Sequence, residues 1–153
     1  MSKNEVVIKE FYDMAVELCD YVKTTKITKH SVEYLLSIIM KLYTKAMELP
    51  NMQTNDEVWH EDGERIKANV DSKIDKYWEL FNPYENDSLV GMMINDDLED
   101  ICSDLSKGIS QYDKGNIGNA VFEWKDTHAW HWGNHATSVL RVLHQIREDN
   151  WSK

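Results

Sequence analysis

The sequence predicts an all-α protein, a single-domain antiparallel bundle of four to five helices. Three observations carry this. Apolar residues recur at intervals of three and four along most of the chain, with no useful stretch of alternation. Glycine (6) and proline (2) are scarce, which argues against turn-rich β architectures. With 153 residues, 42% hydrophobic and 29% charged, the chain has the size and composition of one globular domain that needs no staple.

Pro50 and Pro83 divide the chain, because a helix usually ends before a proline. The first helix is expected from about Asn4 to Tyr21, burying Val7, Phe11, Met14, Leu18 and Val22. The second starts near Thr28, a plausible N-cap, and ends at Leu49. Its stripe runs through Val32, Leu35, Leu36, Ile39, Leu42, Tyr43 and Ala46. Residues 51–64 are acidic and aperiodic and are expected to form a loop. A third helix is predicted from Ile66, Val70, Ile74, Tyr77, Trp78 and Phe81. A fourth carries Ile94, Leu98, Ile101, Leu105, Ile109 and Tyr112 and starts between Ser88 and Met93. After the glycine-bearing turn 114–118, a fifth runs from about Asn119 to Arg147, with residues 148–153 as a tail.

The net charge is −10, and one segment holds the imbalance: residues 51–113 carry 16 acidic and 5 basic side chains. Such a field repels phosphate backbones, so no nucleic-acid partner is expected; a cation, a protein partner or a second copy fits better. The start MSKNEVVIKE lacks the pattern of a signal peptide. The longest charge-free run, Thr127 to Leu140, has 14 residues and three histidines. A membrane span needs about 20 mostly apolar residues, so none is expected. Cys19 and Cys102 form no CxxC and read as reduced packing residues. The expectation is a cytoplasmic protein without membrane association.

The later helices carry a recognisable pattern. It consists of Asp96-Asp97-Leu98-Glu99-Asp100-Ile101, Asp104-Leu105, Gly108 and Glu123-Trp124-Lys125. It continues with His131-Trp132-Gly133-x-His135-Ala136 and Leu140-Arg141-x-Leu143-His144. Earlier matches are Leu42-Tyr43, Leu49-Pro50 and Tyr77-Trp78-x-x-Phe81-x-Pro83. Over most of its length the chain resembles a bacterial cytosolic helical family catalogued only as a domain of unknown function. That resemblance implies a helical fold and no particular activity.

The densest chemistry lies in FEWKDTHAWHWGNH, residues 122–135. On a continuous helix, His128, His131 and His135 share one side, a spacing that metals can use. Asp97, Asp100 and Asp104 form a matching acidic border on the fourth helix. An antiparallel hairpin sets Asp100 level with His131, Asp104 near His128, and Asp97 near Gly133 and His135. The hand of the hairpin decides whether the two borders meet; we expect that they do. Glu123, Arg141 and His144 are expected to extend this polar seam. Gly133 disfavours a helix interior by about 1 kcal/mol, which a close backbone approach would explain. The candidate metal ligands are therefore His128, His131, His135, Asp97 and Asp100. The plain alternative is a hydrogen-bonded His–Asp seam, the usual fate of histidines beside an apolar face.

Established catalytic patterns are missing. HExxH, the EF-hand loop, GxSxG and a glycine-rich phosphate loop do not occur, and Glu57-Val58-Trp59-His60 is a lone ExxH in the acidic loop. No catalytic residue is assigned and no cofactor is expected beyond a candidate divalent metal. Trp59, Trp130 and Trp151 fall outside the apolar stripes and read as contact residues, whereas Trp78, Trp124 and Trp132 read as core or core border. Two functions follow. The first is a non-catalytic protein-interaction or regulatory module; the alternative is a metal-binding helical-bundle hydrolase using the His/Asp set.

Overall fold

The computed structural model describes residues 1–56 and 63–151, the side chains of 150 and 151 excepted. Helices dominate. In chain order the elements are α1 (Lys3–Thr24), β1 (Lys26–Ile27), a 3-10 turn (Lys29–Ser31), α2 (Val32–Glu48), β2 (Asn69–Val70), α3 (Ser72–Asp75), β3 (Lys76–Glu79), β4 (Val90–Met93), α4 (Ile94–Asp113), α5 (Ile117–Trp130) and α6 (Trp132–Trp151). Buried apolar residues of α1, α2, α4, α5 and α6 form one cluster. No helix among the described residues is long and apolar enough to cross a membrane.

The first two long helices follow the pattern of their sequences. Ser2 caps α1 by accepting from the Glu5 amide, and Ile8, Phe11, Ala15, Leu18 and Val22 are buried at helical spacing. Thr28 accepts from the His30 amide at 3.2 Å, and Ser31 accepts in return from the Thr28 amide at 3.1 Å. This capping box opens the turn that leads into α2.

The predicted third helix is not formed. Asp71 caps a single helical turn by accepting from the Lys73 amide at 3.0 Å, and the chain then becomes extended. Asn69–Val70 pairs in parallel with Lys26–Ile27, and Lys76–Glu79 pairs antiparallel with Val90–Met93. Along β3 the even positions Lys76 and Trp78 are exposed while Tyr77 and Glu79 are half-buried, a strand's alternation. Trp78, expected in the core, is therefore 61% exposed. Tyr77 turns inward instead and donates its hydroxyl to Asp97. Four short strands thus join a fold expected to be purely helical.

The start of α4 is fixed by polar contacts. The Asp75 carboxylate accepts from the Asn95 amide at 2.8 Å, and the Asn95 side chain donates to the Ala68 carbonyl at 3.0 Å. Further along, Gly108 is required by its neighbour. A Cβ there would lie 2.1 Å from the indole nitrogen of Trp124, which crosses α4 and donates to the Leu105 carbonyl at 3.0 Å. Trp124 and Trp132 are both fully buried, as expected. The acidic loop is anchored where it is described. The Asn55 backbone pairs with the Asn119 side chain at 2.7 and 2.9 Å, and Glu64 meets Lys23 at 3.1 Å. Trp59 lies outside the described residues. Residues 148–151, expected as tail, continue α6.

Candidate metal centre

The expected fifth helix is broken in two, and the break creates the site. α5 ends at Trp130, and His131 adopts φ −133° and ψ −81°, outside the helical range. The His131 amide still closes α5 by donating to the Thr127 carbonyl at 2.8 Å. The His131 carbonyl opens α6 by accepting from the Asn134 and His135 amides at 3.0 and 3.2 Å. Gly133 lets the two helices meet this closely: a Cβ there would lie 2.0 Å from the His128 carbonyl oxygen. The indole of Trp132 pins the junction from below, donating to the Trp124 carbonyl at 3.0 Å.

The break separates the three histidines. His128 packs between Tyr43 and Trp132, with ring centroids 4.5 and 4.8 Å away. Its buried Nε2 has no hydrogen-bond partner among the described residues. Burial lowers its pKa. It therefore does not join the expected ligand set, because the change of direction at His131 removes the shared helix face.

His131 and His135 turn to the acidic border of α4. His131 Nδ1 lies 2.5 Å from Asp104 Oδ2, and His135 Nδ1 lies 2.7 Å from Asp97 Oδ1. An ionised carboxylate only accepts, so both Nδ1 atoms carry hydrogen and each Nε2 faces away from its buried partner. His135 Nε2 lies 3.0 Å from Asp100 Oδ2. Donor atoms of Asp100, His131 and His135 all fall within 4.8 Å of one another. The two polar borders therefore meet. The expected pairing of Asp104 with His128 and of Asp100 with His131 is shifted: Asp104 takes His131 and Asp100 reaches His135.

The electrostatics follow from burial and pairing. Asp97 is completely buried and Asp104 nearly so. Burial pushes both carboxyls above the usual range, while the hydrogen bonds from His135, Tyr77 and His131 oppose that rise. His135 is held above the ordinary histidine value, chiefly by its hydrogen bond to Asp97. Both directions say that the His135–Asp97 pair keeps its proton tightly. Glu123 is half-buried near Asp104 and Lys107, and burial raises its carboxyl. Arg141 and His144, placed in the seam by expectation, are exposed instead on α6. Arg141 reaches along the helix to Gln145 at 3.5 Å.

The histidine pair lines a cleft of about 560 Å³ between the β3–β4 hairpin and the α5–α6 junction. Trp130, 60% exposed, forms one wall and packs its ring 5.3 Å from that of His131. Phe81 and Met92 form another, and Glu79 accepts from Ser138 at 2.6 Å. Tyr77 and Glu79 escaped the sequence reading because their spacing was absorbed into the third helix. A larger groove of about 710 Å³ runs along α1 and α2 and shares no lining residue with this cleft. Its Lys45 is already paired with Glu10 at 2.8 Å and Glu48 at 3.2 Å.

A family described only as a domain of unknown function, DUF5063, matches residues 2–149. The chain belongs to this family. No curated protein matches it. Among solved structures it is similar to protein BF1032 from Bacteroides fragilis, at 20% identity and a TM-score of 0.67. That similarity covers 95% of this chain and 93% of the other. At such identity the likeness concerns the fold. The DUF5063 match spans both helices of the junction and the hairpin beside it.

Proposed function

We propose that His131, His135 and Asp100 bind a divalent transition metal at the wall of the cleft, in a centre built for metal-assisted hydrolysis. One observation carries the reading: two neighbouring imidazoles, each oriented by its own buried carboxylate, converge with a third carboxylate. A metal-binding histidine usually donates its other ring nitrogen to a carboxylate, which fixes the ring and raises its basicity. Asp104 and Asp97 occupy those positions, and Tyr77 in turn orients Asp97. Three protein donors leave at least one coordination position for water, the arrangement of catalytic rather than structural zinc sites. Bound there, a metal would lower the pKa of that water and supply the nucleophile. Asp97, a candidate ligand by sequence, serves here to position His135.

Titration with zinc, manganese and nickel tests this, followed by thermal melting. An ion at 100 times its Kd stabilises the folded state by about 2.7 kcal/mol. The shift is expected in the wild type and lost in His131→Ala and Asp100→Asn. No shift with any of the three ions, or an equal shift in His131→Ala, overturns the reading. The interaction-module reading draws support from a separate feature, the exposed Trp78, Phe81, Tyr84 and Leu89 of the hairpin region.

A further inference from the structure

The cleft beside the histidine pair has a charge character that selects its occupant. Among the described residues, no lysine or arginine lines it. Its lining carboxylate is Glu79, whose Oε1 accepts from Ser138 at 2.6 Å. Asp97 and Asp104 stand behind the histidines at their Nδ1 atoms, and Asp100 lies at Nε2 of His135. A divalent ion at His131 and His135 would add two positive charges against these four carboxylates, and without it an imidazolium at His135 adds one. Lys107, which neighbours Asp104, is not a cleft residue. The field stays negative with or without the ion, and a concave site with low-dielectric walls focuses such a field. The apolar walls are aromatic or flexible: Trp130, Phe81 and Met92. Trp130 and Phe81 are 60% and 78% exposed, so both present open ring surface, with the Trp130 indole held by its Nε1 donating to Asp126 at 3.0 Å.

We propose that this cleft takes an aromatic amine, its ring against Trp130 and Phe81 and its ammonium group toward Glu79, and that it rejects phosphate- and carboxylate-bearing molecules. An ammonium group gains both from a carboxylate and from the face of a tryptophan. An anion of the same shape gains neither and meets like charge. The inference rests on the metal reading for one point only: the ring is held beside the wall where the ion would sit.

Isothermal titration with phenethylamine and phenylacetate tests it, since the two share a ring and differ in charge. The comparison is run with chelator and again with zinc. Phenethylamine is expected to bind at least about tenfold more tightly with chelator present. Glu79→Gln should bring the two ligands to comparable affinity. Trp130→Ala should weaken the amine about fivefold. Both substitutions lie on the surface of the cleft, and melting curves verify that the variants fold. Equal binding of the two ligands, preference for phenylacetate in chelator, or no binding of either overturns the inference. So does an unchanged amine affinity in both variants. Zinc binding without amine preference sinks this inference and spares the metal reading. Amine preference without zinc binding does the reverse.

Discussion

The two sides of the α5–α6 junction treat one residue type in opposite ways. Toward α2, His128 lies between Tyr43 and Trp132 with a buried nitrogen that has no hydrogen-bond partner among the described residues. Toward α4, His131 and His135 each meet a buried aspartate. In the sequence the three look equivalent, three and four residues apart. What divides them is a single non-helical residue, His131, and the close approach that Gly133 permits. Spacing identifies a helix face only while the helix continues. At a break it identifies two sites, one apolar and one acidic.

The largest expected effect comes from removing what makes the division. Gly133→Ala places a methyl group 2.0 Å from a backbone carbonyl oxygen, which no rotamer change relieves. Overpacking of this kind destabilises by roughly 1–3 kcal/mol, and a backbone obstacle belongs at the upper end. Chemical denaturation should show a loss of about 3 kcal/mol. Zinc affinity should fall as well, because the shift moves His131 and His135 away from α4. A stability loss under about 0.5 kcal/mol, the range of ordinary surface changes, would mean that the junction is not constrained as described.

How much of this was legible can be judged from particular residues. The stripes of α1, α2 and α4 were readable because each is a long helix with one buried face, the situation in which periodicity is most informative. The meeting of the Asp and His borders was legible too, since the turn after α4 returns the chain along that helix. Gly133 announced a close approach by its position in an otherwise helical pattern. The third helix misled because Ile66, Val70, Ile74, Tyr77 and Phe81 hold helical spacing by coincidence. Their partners, Ile27 for β2 and Val90–Met93 for β3, are distant in sequence. Strand pairing of this sort leaves no local signature, and tertiary pairing overrode propensity. The break at His131 was hidden for a related reason. Nothing in Trp130-His131-Trp132 is a helix breaker; the turn is stabilised by tertiary contacts, including the two buried indoles of Trp124 and Trp132.

A paired substitution sharpens the comparison at smaller cost. His135→Leu removes one partner of a completely buried carboxylate and leaves Tyr77 as its remaining donor. Breaking a charge-assisted buried hydrogen bond in this way should destabilise the metal-free protein by about 2 kcal/mol. His128→Leu removes a buried nitrogen that has no hydrogen-bond partner among the described residues, and exchanges ring contacts for aliphatic ones. Relief of the polar burial and loss of the ring contacts nearly offset, so its stability should stay within about 1 kcal/mol of wild type. Urea denaturation of both variants checks the ordering. Equal losses would show that the two sides do not differ in the way their geometry implies.

The smallest effect is a pH dependence with two opposite signs. Burial depresses the pKa of His128, so the unfolded chain takes up this proton first as the solution is acidified. Its contribution is present above the ordinary histidine value of about 6.5 and is lost as pH falls through the depressed one. His135 is raised by Asp97, so its contribution is present below about 6.5 and is lost as pH rises through the raised value. With a chelator present, stability should pass through a maximum close to the ordinary histidine pKa. Asp97, Asp104 and Glu123 are raised by burial and titrate on the acid side with the sign of His135, so the test is the difference between variants. His128→Leu should flatten the acid limb alone and His135→Leu the alkaline limb alone. If both substitutions alter the same limb, the two histidines share one environment and the division at His131 carries no electrostatic consequence.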